Sequence, residues 1–212
     1  MSHHNVLIAD DHAVARAGFR RFLEEAGGFG VVGEAGSGSE TLAKLRSGHW
    51  DLLMLDIHMR GRSGLDILER ARASHPQLRI LVVSGLPEEQ YAIHVIRQGA
   101  NGYLSKGRAP EELLQAVRAL LEGRTYVSST VAEQMIDDFD RTTPKPSHQA
   151  LSSREFQVFF KLAAGATIGA ISEELRLSAK TVSTYRAHIL AKMNLSSNAE
   201  LTRYAYQQGL VL

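Results

Sequence analysis

The feature that most constrains the fold is a run of four apolar residues, 52–55, with an aspartate on each side, Asp51 and Asp56. An unbroken apolar run of this length is typical of a strand buried on both faces, as strands are in a parallel sheet. Such sheets bind their ligands in the crevice beyond the carboxyl ends of the strands. Because Asp56 directly follows the run, we expect its carboxylate at that edge.

Three other short apolar segments also end in polar residues. The segment at 6–9 leads into Asp10 and Asp11, the one at 80–83 into Ser84, and the one at 102–105 into Lys106. The carboxyl ends of parallel strands meet at one edge, so the sequence predicts three carboxylates, one hydroxyl and one ammonium in one place. Polar residues that merely end their strands are the alternative, which is reasonable for any one of them and weak for all five.

The predicted cluster suits a hard divalent cation and phosphoryl chemistry. Mg²⁺ takes one or two carboxylates and completes its coordination with water and phosphate oxygens. A carboxylate beside it can attack phosphorus, while metal and ammonium neutralise the charge of the transferring group. We interpret Asp56 as the candidate nucleophile because it stands alone on the central strand, with Asp10 and Asp11 holding the metal. Lys106 would pair with the anion, and Ser84 would hydrogen-bond a phosphoryl oxygen.

Strand and helix patterns alternate five times over residues 1–123. This alternation predicts an α/β domain, a doubly wound, five-stranded parallel sheet with helices on both faces, because right-handed crossovers place the helices there. The predicted helices cover 12–26, 39–46, 64–74, 87–98 and 110–122. A dinucleotide-binding sheet is disfavoured because the first strand leads into Asp10, Asp11 and His12 and not into a glycine-rich phosphate loop.

The rest of the chain is predicted to be a linker followed by an all-α domain. Residues 124–147 form the linker, which is partly helical, with a candidate helix at 131–139. The stretch 141–148 combines two prolines with small polar residues, as exposed connections do. Residues 148–212 predict four helices. Two of these helices open with capping boxes, formed by Ser152 with Glu155 and by Ser197 with Glu200.

Composition limits the compartment and the partners. The 212 residues suffice for two small domains, and the absence of cysteine suits a reducing compartment. No apolar run approaches the length of a membrane span, so we expect a cytoplasmic protein with no membrane partner. The basic excess is confined to residues 148–212, with seven Lys or Arg against four Asp or Glu, which permits a polyanionic partner.

The helix predicted at 179–193 has the pattern of a DNA-reading helix. Val182 and Ile189 share its apolar face, and small residues lie nearly opposite. The helix carries three cations and no acid, so it can approach a polyanion closely, as a major groove requires. A solvated amphipathic helix is the alternative. Arg186 falls beside the apolar flank and is expected to pair within the domain, with Glu155 as its candidate partner.

These motifs together resemble a known family. Residues 1–122 are similar to a bacterial response-regulator receiver domain, which has a flavodoxin-like fold, and 148–212 resemble a four-helix LuxR-type helix-turn-helix domain. The chain is thus similar to the NarL/FixJ class of two-component regulators over nearly its whole length. The receiver pattern is carried by Asp10, Asp11, Asp56, Met59, Gly64, Ser84, Tyr103 and Lys106. The helix-turn-helix signature is carried by residues 177–185.

The resemblance implies that a sensor histidine kinase transfers a phosphoryl group to Asp56, with no residue assigned as catalytic and no enzymatic turnover. The groups implied as Mg²⁺ ligands are the carboxylates of Asp10, Asp11 and Asp56 and the backbone carbonyl of His58. By the same resemblance, Ser84 would then shift toward the phosphoryl group, which Lys106 would also contact, and Tyr103 would change rotamer. This motion would remodel the fourth helix, the fifth strand and the fifth helix.

The resemblance also implies DNA binding as a homodimer, promoted by phosphorylation. Residues 179–193 would be the recognition helix and 167–175 the scaffold helix. The implied base-reading residues are Ser183, Thr184, Ala187 and His188. The implied phosphate-contacting residues are Lys180, Thr181, Tyr185 and Lys192. The expected partners are double-stranded promoter DNA, the kinase, a second copy of the chain and, as a further candidate, RNA polymerase.

Three positions depart from the family pattern. Arg60 and Gly107 stand where proline is common in the family, and His58 lies two residues past Asp56, at a position that in this family faces the phosphoryl group. A Mg²⁺-dependent phosphohydrolase with a covalent aspartyl-phosphate is the alternative function. Such enzymes commonly use a second acid two residues after the nucleophile, and here His58 occupies that position.

Overall fold

The computed structural model describes residues 4–59, 64–140, 147–208 and 210–211. The chain divides into two units, Met1–Asp140 and Arg141–Leu212. Within the described ranges, no helix is long and apolar enough to cross a membrane.

The first unit is built on a five-stranded parallel sheet with the strand order β2-β1-β3-β4-β5. The strands are β1 (His4–Ala9), β2 (Phe29–Ala35), β3 (Leu52–Leu55), β4 (Arg79–Ser84) and β5 (Gly102–Ser105). All four residues of β3 are at most 1% exposed, as predicted for a central strand. The last paired residues of β1 and β3 are Ala9 and Leu55. Asp10 and Asp56 therefore leave the sheet at the same level.

Within the described part of the first unit, six helices accompany the strands. They are α1 (Ala13–Ala26), α2 (Gly38–Ser47), α3 (Gly64–Ser74), α4 (Glu88–Arg97), α5 (Pro110–Leu121) and α6 (Ser129–Asp140). Leu23 of α1 and Leu113 of α5 share one apolar cluster with Ile8 and Met54 of the sheet. Helices α2 and α3 contact each other, and α4 contacts β5. The α/β fold predicted from the sequence is confirmed.

The segment after α5 adds a short extension to the edge of the sheet. Tyr126 forms a parallel bridge with Gly102 of β5. The backbone N–H of Tyr103 donates to the Tyr126 carbonyl at 3.0 Å, and the Tyr126 N–H donates to the Asn101 carbonyl at 3.1 Å. A side chain at Gly102 would come within 2.8 Å of the Tyr126 carbonyl oxygen, so the bridge requires glycine there.

Helix α6 belongs to the first unit. It packs against α4, and Val131 is fully buried. The candidate helix predicted at 131–139 is therefore present. It belongs to the sheet domain because it packs against α4. The predicted domain limits stay a prediction, and residues 141–146 of the predicted linker lie outside the described residues.

In the second unit, residues 147–208 contain four α-helices, as predicted. A 3₁₀ helix, Ser147–Ala150, precedes α7 (Ser153–Ala163), α8 (Ile168–Leu175), α9 (Ala179–Met193) and α10 (Asn198–Gln207). The capping box of Ser152 and Glu155 is complete. The predicted second box is half formed: Ser197 caps α10, but the Glu200 carboxylate accepts both the N–H and the hydroxyl of Ser196. Two hydrogen bonds to Ser196 replace the single one expected to Ser197.

Two helical glycines are predicted to respond in opposite ways to alanine. A Cβ on Gly64, at the start of α3, would overlap the backbone carbonyl oxygen of Asp56, whereas a Cβ on Gly18 of α1 meets no atom within 4 Å. Gly64→Ala should lower the free energy of unfolding by about 1–3 kcal/mol, because the two segments must separate. Gly18→Ala should raise it by about 0.5–1 kcal/mol through helix propensity.

Urea unfolding followed by tryptophan fluorescence checks both changes. The chain has a single tryptophan, Trp50, which lies in the first unit, where its indole N–H donates to the Lys44 carbonyl at 2.9 Å. Equal stability of Gly64→Ala and the wild type would contradict the close approach of α3 to the end of β3.

Candidate functional site

Two buried carboxylates and one ammonium meet at the carboxyl edge of the sheet. Asp10 follows β1 and Asp56 follows β3, and each is 2% exposed. The Nζ of Lys106, which follows β5, lies 2.7 Å from Oδ2 of Asp10 and 2.7 Å from Oδ2 of Asp56. The Asp56 N–H donates to the Ala9 carbonyl, and the Lys106 N–H donates to the Ser84 carbonyl, each at 2.8 Å. Backbone hydrogen bonds at the strand ends thus hold Asp10, Asp56 and Lys106, three of the predicted site residues, close together.

The acidic side of this cluster has the donor set of a Mg²⁺ site. Asp10, Asp11, His12 and Asp56 each offer one ligand atom, and these atoms lie within 4.8 Å of one another. Three of the four donors are carboxylate oxygens, the ligands that suit Mg²⁺. Since the ammonium of Lys106 balances one of the three carboxylates, two negative charges are left for a divalent cation. The residues present therefore fit the ion that the resemblance implies.

Backbone amides orient the two central carboxylates. The N–H of His12 donates to Oδ1 of Asp10 at 2.8 Å, and the N–H of His58 donates to Oδ1 of Asp56 at 2.9 Å. In each carboxylate, Oδ1 therefore accepts from a backbone N–H, and Oδ2 lies 2.7 Å from Nζ of Lys106. The role of the His58 carbonyl as a metal ligand stays a prediction.

His12 is a member of the cluster that the sequence reasoning did not assign. Its Nδ1 lies 3.0 Å from Oδ1 of Asp11 and 3.2 Å from Oδ1 of Asp10, while 62% of its side chain is exposed. In the sequence, the one indication that His12 belongs to the cluster is its position directly after Asp10 and Asp11. The imidazole lies at the solvent side of the two acids, where it can interact with either carboxylate.

The ammonium of Lys106 is stabilised in its charged form. Burial alone would lower the pKa of Lys106, but the hydrogen bonds to Asp10 and Asp56 outweigh burial and raise the pKa. Lys106 is therefore positively charged at neutral pH. A fixed cation beside a carboxylate can neutralise an incoming anion without a change in its own protonation.

Ser84 and Tyr103 meet at the loop that follows β4. The hydroxyl of Ser84, which is fully buried, accepts from the N–H of Leu86 at 3.2 Å. The phenol of Tyr103, 1% exposed, donates to the Leu86 carbonyl at 2.7 Å. Burial raises the pKa of Tyr103 well above its ordinary value, although a hydrogen bond with Ser84 opposes the rise. The phenol is therefore a neutral donor that ties β5 to the loop before α4.

Helix α9 separates a buried face from an exposed one. Its buried residues are Val182, Ile189, Leu190 and Met193. Most of the predicted DNA-contacting residues are exposed: Lys180, Ser183, Thr184, Ala187, His188 and Lys192. The other two, Thr181 and Tyr185, are partly buried. The structure therefore places most of the predicted DNA-contacting residues on one accessible surface, as a groove-binding helix requires.

Hydroxyl groups on α9 bond to the helix itself. The Ser183 hydroxyl donates to the Ala179 carbonyl at 2.9 Å, and the Thr184 hydroxyl donates to the Lys180 carbonyl at 3.0 Å. With their protons engaged, the hydroxyl oxygens of these exposed side chains are left as acceptors, and Thr184 also carries a methyl group. Such a surface can accept from base amino groups or contact the thymine methyl.

The prediction that Arg186 pairs with Glu155 is wrong. Its guanidinium Nε donates to Oδ1 of Asn198 at 2.6 Å, so Arg186 does pair within the domain, but at the start of α10. Glu155 is bonded instead by the Nζ of Lys192 at 2.6 Å. Lys192 lies nearly two helical turns after Arg186, and it is this later part of α9 that reaches the first turn of α7.

Two family models match the chain, one for each unit. The model for the response regulator receiver domain matches residues 6–118, and the model for bacterial regulatory proteins of the LuxR family matches residues 149–205.

Relatives match nearly the whole chain. The response regulator UvrY of Escherichia coli K12 is 36% identical over 207 residues, which cover 97% of this chain and 95% of that protein. The response regulator GacA of Pseudomonas protegens is 35% identical over 206 residues, covering 97% of each. The structure of RcsB from Salmonella enterica serovar Typhimurium, bound to promoter P1flhDC in the presence of the phosphomimetic BeF3⁻, superposes with a TM-score of 0.66. It is 25% identical and covers 97% of this chain and 100% of that one.

The matches agree with the geometry of both units, the buried acid and lysine cluster in the first and the exposed helix α9 in the second. The chain belongs to the NarL/FixJ class of two-component response regulators, which join a receiver domain to a LuxR-type helix-turn-helix DNA-binding domain.

Proposed function

We propose that the chain is a transcription regulator whose DNA binding is promoted by Mg²⁺-dependent phosphorylation of Asp56 by a sensor histidine kinase. The observation that carries this proposal is the position of Lys106, 2.7 Å from the carboxylates of Asp56 and Asp10 at the carboxyl edge of the sheet. A carboxylate so placed can accept a phosphoryl group, because a fixed cation already balances its charge.

In the proposed reaction, an Asp56 carboxylate oxygen bonds to phosphorus as the bond from phosphorus to the kinase histidine nitrogen breaks. Asp10 and Asp11 provide the carboxylates that would hold Mg²⁺, which when bound supplies charge neutralisation at the phosphoryl oxygens. Lys106 remains protonated and pairs with the new phosphoryl group. The His58 N–H, now on Asp56 Oδ1, keeps the acyl group oriented.

The loop around Leu86 gives a physical route from phosphorylation to conformational change. The Ser84 hydroxyl now holds the Leu86 N–H, and the Leu86 carbonyl holds Tyr103. When Ser84 turns to a phosphoryl oxygen, the Leu86 N–H loses its acceptor and the loop before α4 is free to move. Since Tyr103 is bonded to the same residue, its rotamer changes together with the loop.

The output of the proposed switch is promoter binding by α9 as a homodimer. The exposed face of α9 and the RcsB relative, whose structure contains promoter DNA, support double-stranded DNA as the partner. A dimer would read two half-sites related by two-fold symmetry. RNA polymerase remains a candidate partner. We also propose that the chain has no enzymatic activity, since His58 occupies the position of the second acid that a phosphohydrolase commonly uses.

Phosphorylation is expected to require Asp56 and Mg²⁺. Incubation with acetyl phosphate and Mg²⁺ should add one phosphoryl group, seen by intact-mass spectrometry, and removal of Mg²⁺ by EDTA should abolish the gain. Asp56→Asn should remove it because the nucleophilic carboxylate is lost. Asp51→Asn is the matched control, since Asp51 lies at the other end of β3 and should leave the modification unchanged. Incorporation into Asp56→Asn would refute the assignment.

Phosphorylated protein is expected to bind a palindromic site more tightly than the unmodified chain. A coupling typical of such switches corresponds to about 5- to 150-fold in affinity. Fluorescence anisotropy with a labelled duplex, selected from a random library by the phosphorylated wild type, measures the difference. Asp56→Asn provides the matched unphosphorylated state. Equal affinities for Asp56→Asn and phosphorylated protein would remove phosphorylation as the control of DNA binding.

A further inference from the structure

Lys192 of α9 is engaged with a buried carboxylate inside its own domain. Its Nζ donates to Oε2 of Glu155 at 2.6 Å, and the Glu155 side chain is 5% exposed. The same oxygen accepts from the Ser152 N–H at 2.8 Å as part of the capping box of α7. A buried carboxylate is costly unless it is paired, so release of the ammonium to another anion would leave Glu155 without its cation.

The electrostatics of Glu155 agree with this pairing. Burial alone would raise the pKa of Glu155, but the hydrogen bonds from Lys192 and Ser152 outweigh burial and lower the pKa. The carboxylate is therefore ionised at neutral pH. Both of its oxygens lie near α9, because Nδ1 of His188 is 3.8 Å from Oε1.

Lys192 and His188 are four residues apart, so they lie one above the other on the same side of α9. One carboxylate at the N-terminal turn of α7 thus faces two consecutive turns of α9. Helices α7 and α9 also pack against each other. The contact is placed to fix how far α9 is rotated about its own axis, and this rotation decides which side chains it presents to a groove.

We propose that Lys192 acts on DNA binding through Glu155, as a positioning residue that fixes the rotation of α9, and that it is not a DNA-phosphate contact. The inference rests on the proposed DNA-binding function of α9. Lys180, in the first turn of α9, provides the contrast. It is exposed and has no ion pair with any residue that the structure describes, so its ammonium is available to a phosphate.

The salt dependence of binding separates a phosphate contact from a positioning residue. Each cation that neutralises a phosphate contributes about 0.9 to the slope of log K against log salt concentration. The probe is a labelled 30-base-pair duplex selected from a random library by the wild-type chain. Anisotropy titrations from 50 to 200 mM salt are carried out on the full chain with acetyl phosphate and Mg²⁺ present.

Lys180→Gln should make the slope shallower by about 0.9, as expected for one lost phosphate contact. Lys192→Gln should lower the affinity by about tenfold at every salt concentration and leave the slope unchanged. A slope that falls by about 0.9 in Lys192→Gln would overturn the inference while leaving DNA binding intact. No binding by the wild type would overturn the proposed function instead, and the inference with it.

Glu155→Gln gives a second, independent test. Glutamine can still complete a capping box, so α7 keeps its first turn while the charge is lost. A positioning role requires Glu155→Gln to weaken binding, although the change removes a negative charge near DNA. Tighter binding would show that Glu155 only competes with phosphate for Lys192, and would overturn the inference.

A double-mutant cycle tests whether Glu155 and Lys192 act as one unit. If the two residues act as one unit, Glu155→Gln combined with Lys192→Gln should bind no more weakly than the poorer single variant. Additive losses would mean that the two side chains act separately, which contradicts the inference. Lys192→Arg should restore wild-type affinity because it retains the ion pair.

Discussion

The ammonium of Lys106, held between the carboxylates of Asp10 and Asp56, is the interaction on which the edge of the sheet depends. Two carboxylates that are 2% exposed would repel each other across adjacent strands without it. Removing one partner from a buried charge cluster typically costs about 3–5 kcal/mol, because the remaining charges are left unpaired. The same cation that permits the acids to be buried is the one that can accompany an anion bound to Asp56. Stability and chemistry therefore share one side chain at this edge.

Much of this arrangement could be predicted from the sequence because it follows from the ends of buried strands. The apolar run at 52–55 needs a parallel neighbour on each side, and once β1 pairs with β3 in register, Asp10 and Asp56 must emerge together. The helix at 179–193 was equally predictable, since Val182 and Ile189 repeat at helical spacing. These features depend on local pattern and on the geometry of parallel sheets.

What could not be predicted depends on contacts between residues far apart in the chain. Lys192 and Glu155 are 37 positions apart, and nothing in the sequence says that Lys192, and not Arg186, reaches the first turn of α7. Long flexible side chains are placed by the packing angle of the helices that carry them. The bridge of Tyr126 to β5 was missed for a similar reason, because a single backbone pairing leaves no periodic pattern.

The bridge at Tyr126 has a consequence for how a signal can leave the receiver. The amide of Tyr103, the proposed switch residue, is itself the donor that holds Tyr126, and from there the chain runs directly into α6, which rests on α4. The segment that follows α5 is therefore hydrogen-bonded to β5 and packed against α4. These are the parts of the receiver that the proposed switch would move. Helix α6 therefore covers part of α4, and its own Val131 is fully buried. In the proposed switch, a movement of α4 would therefore act first on its contact with α6, within the same chain.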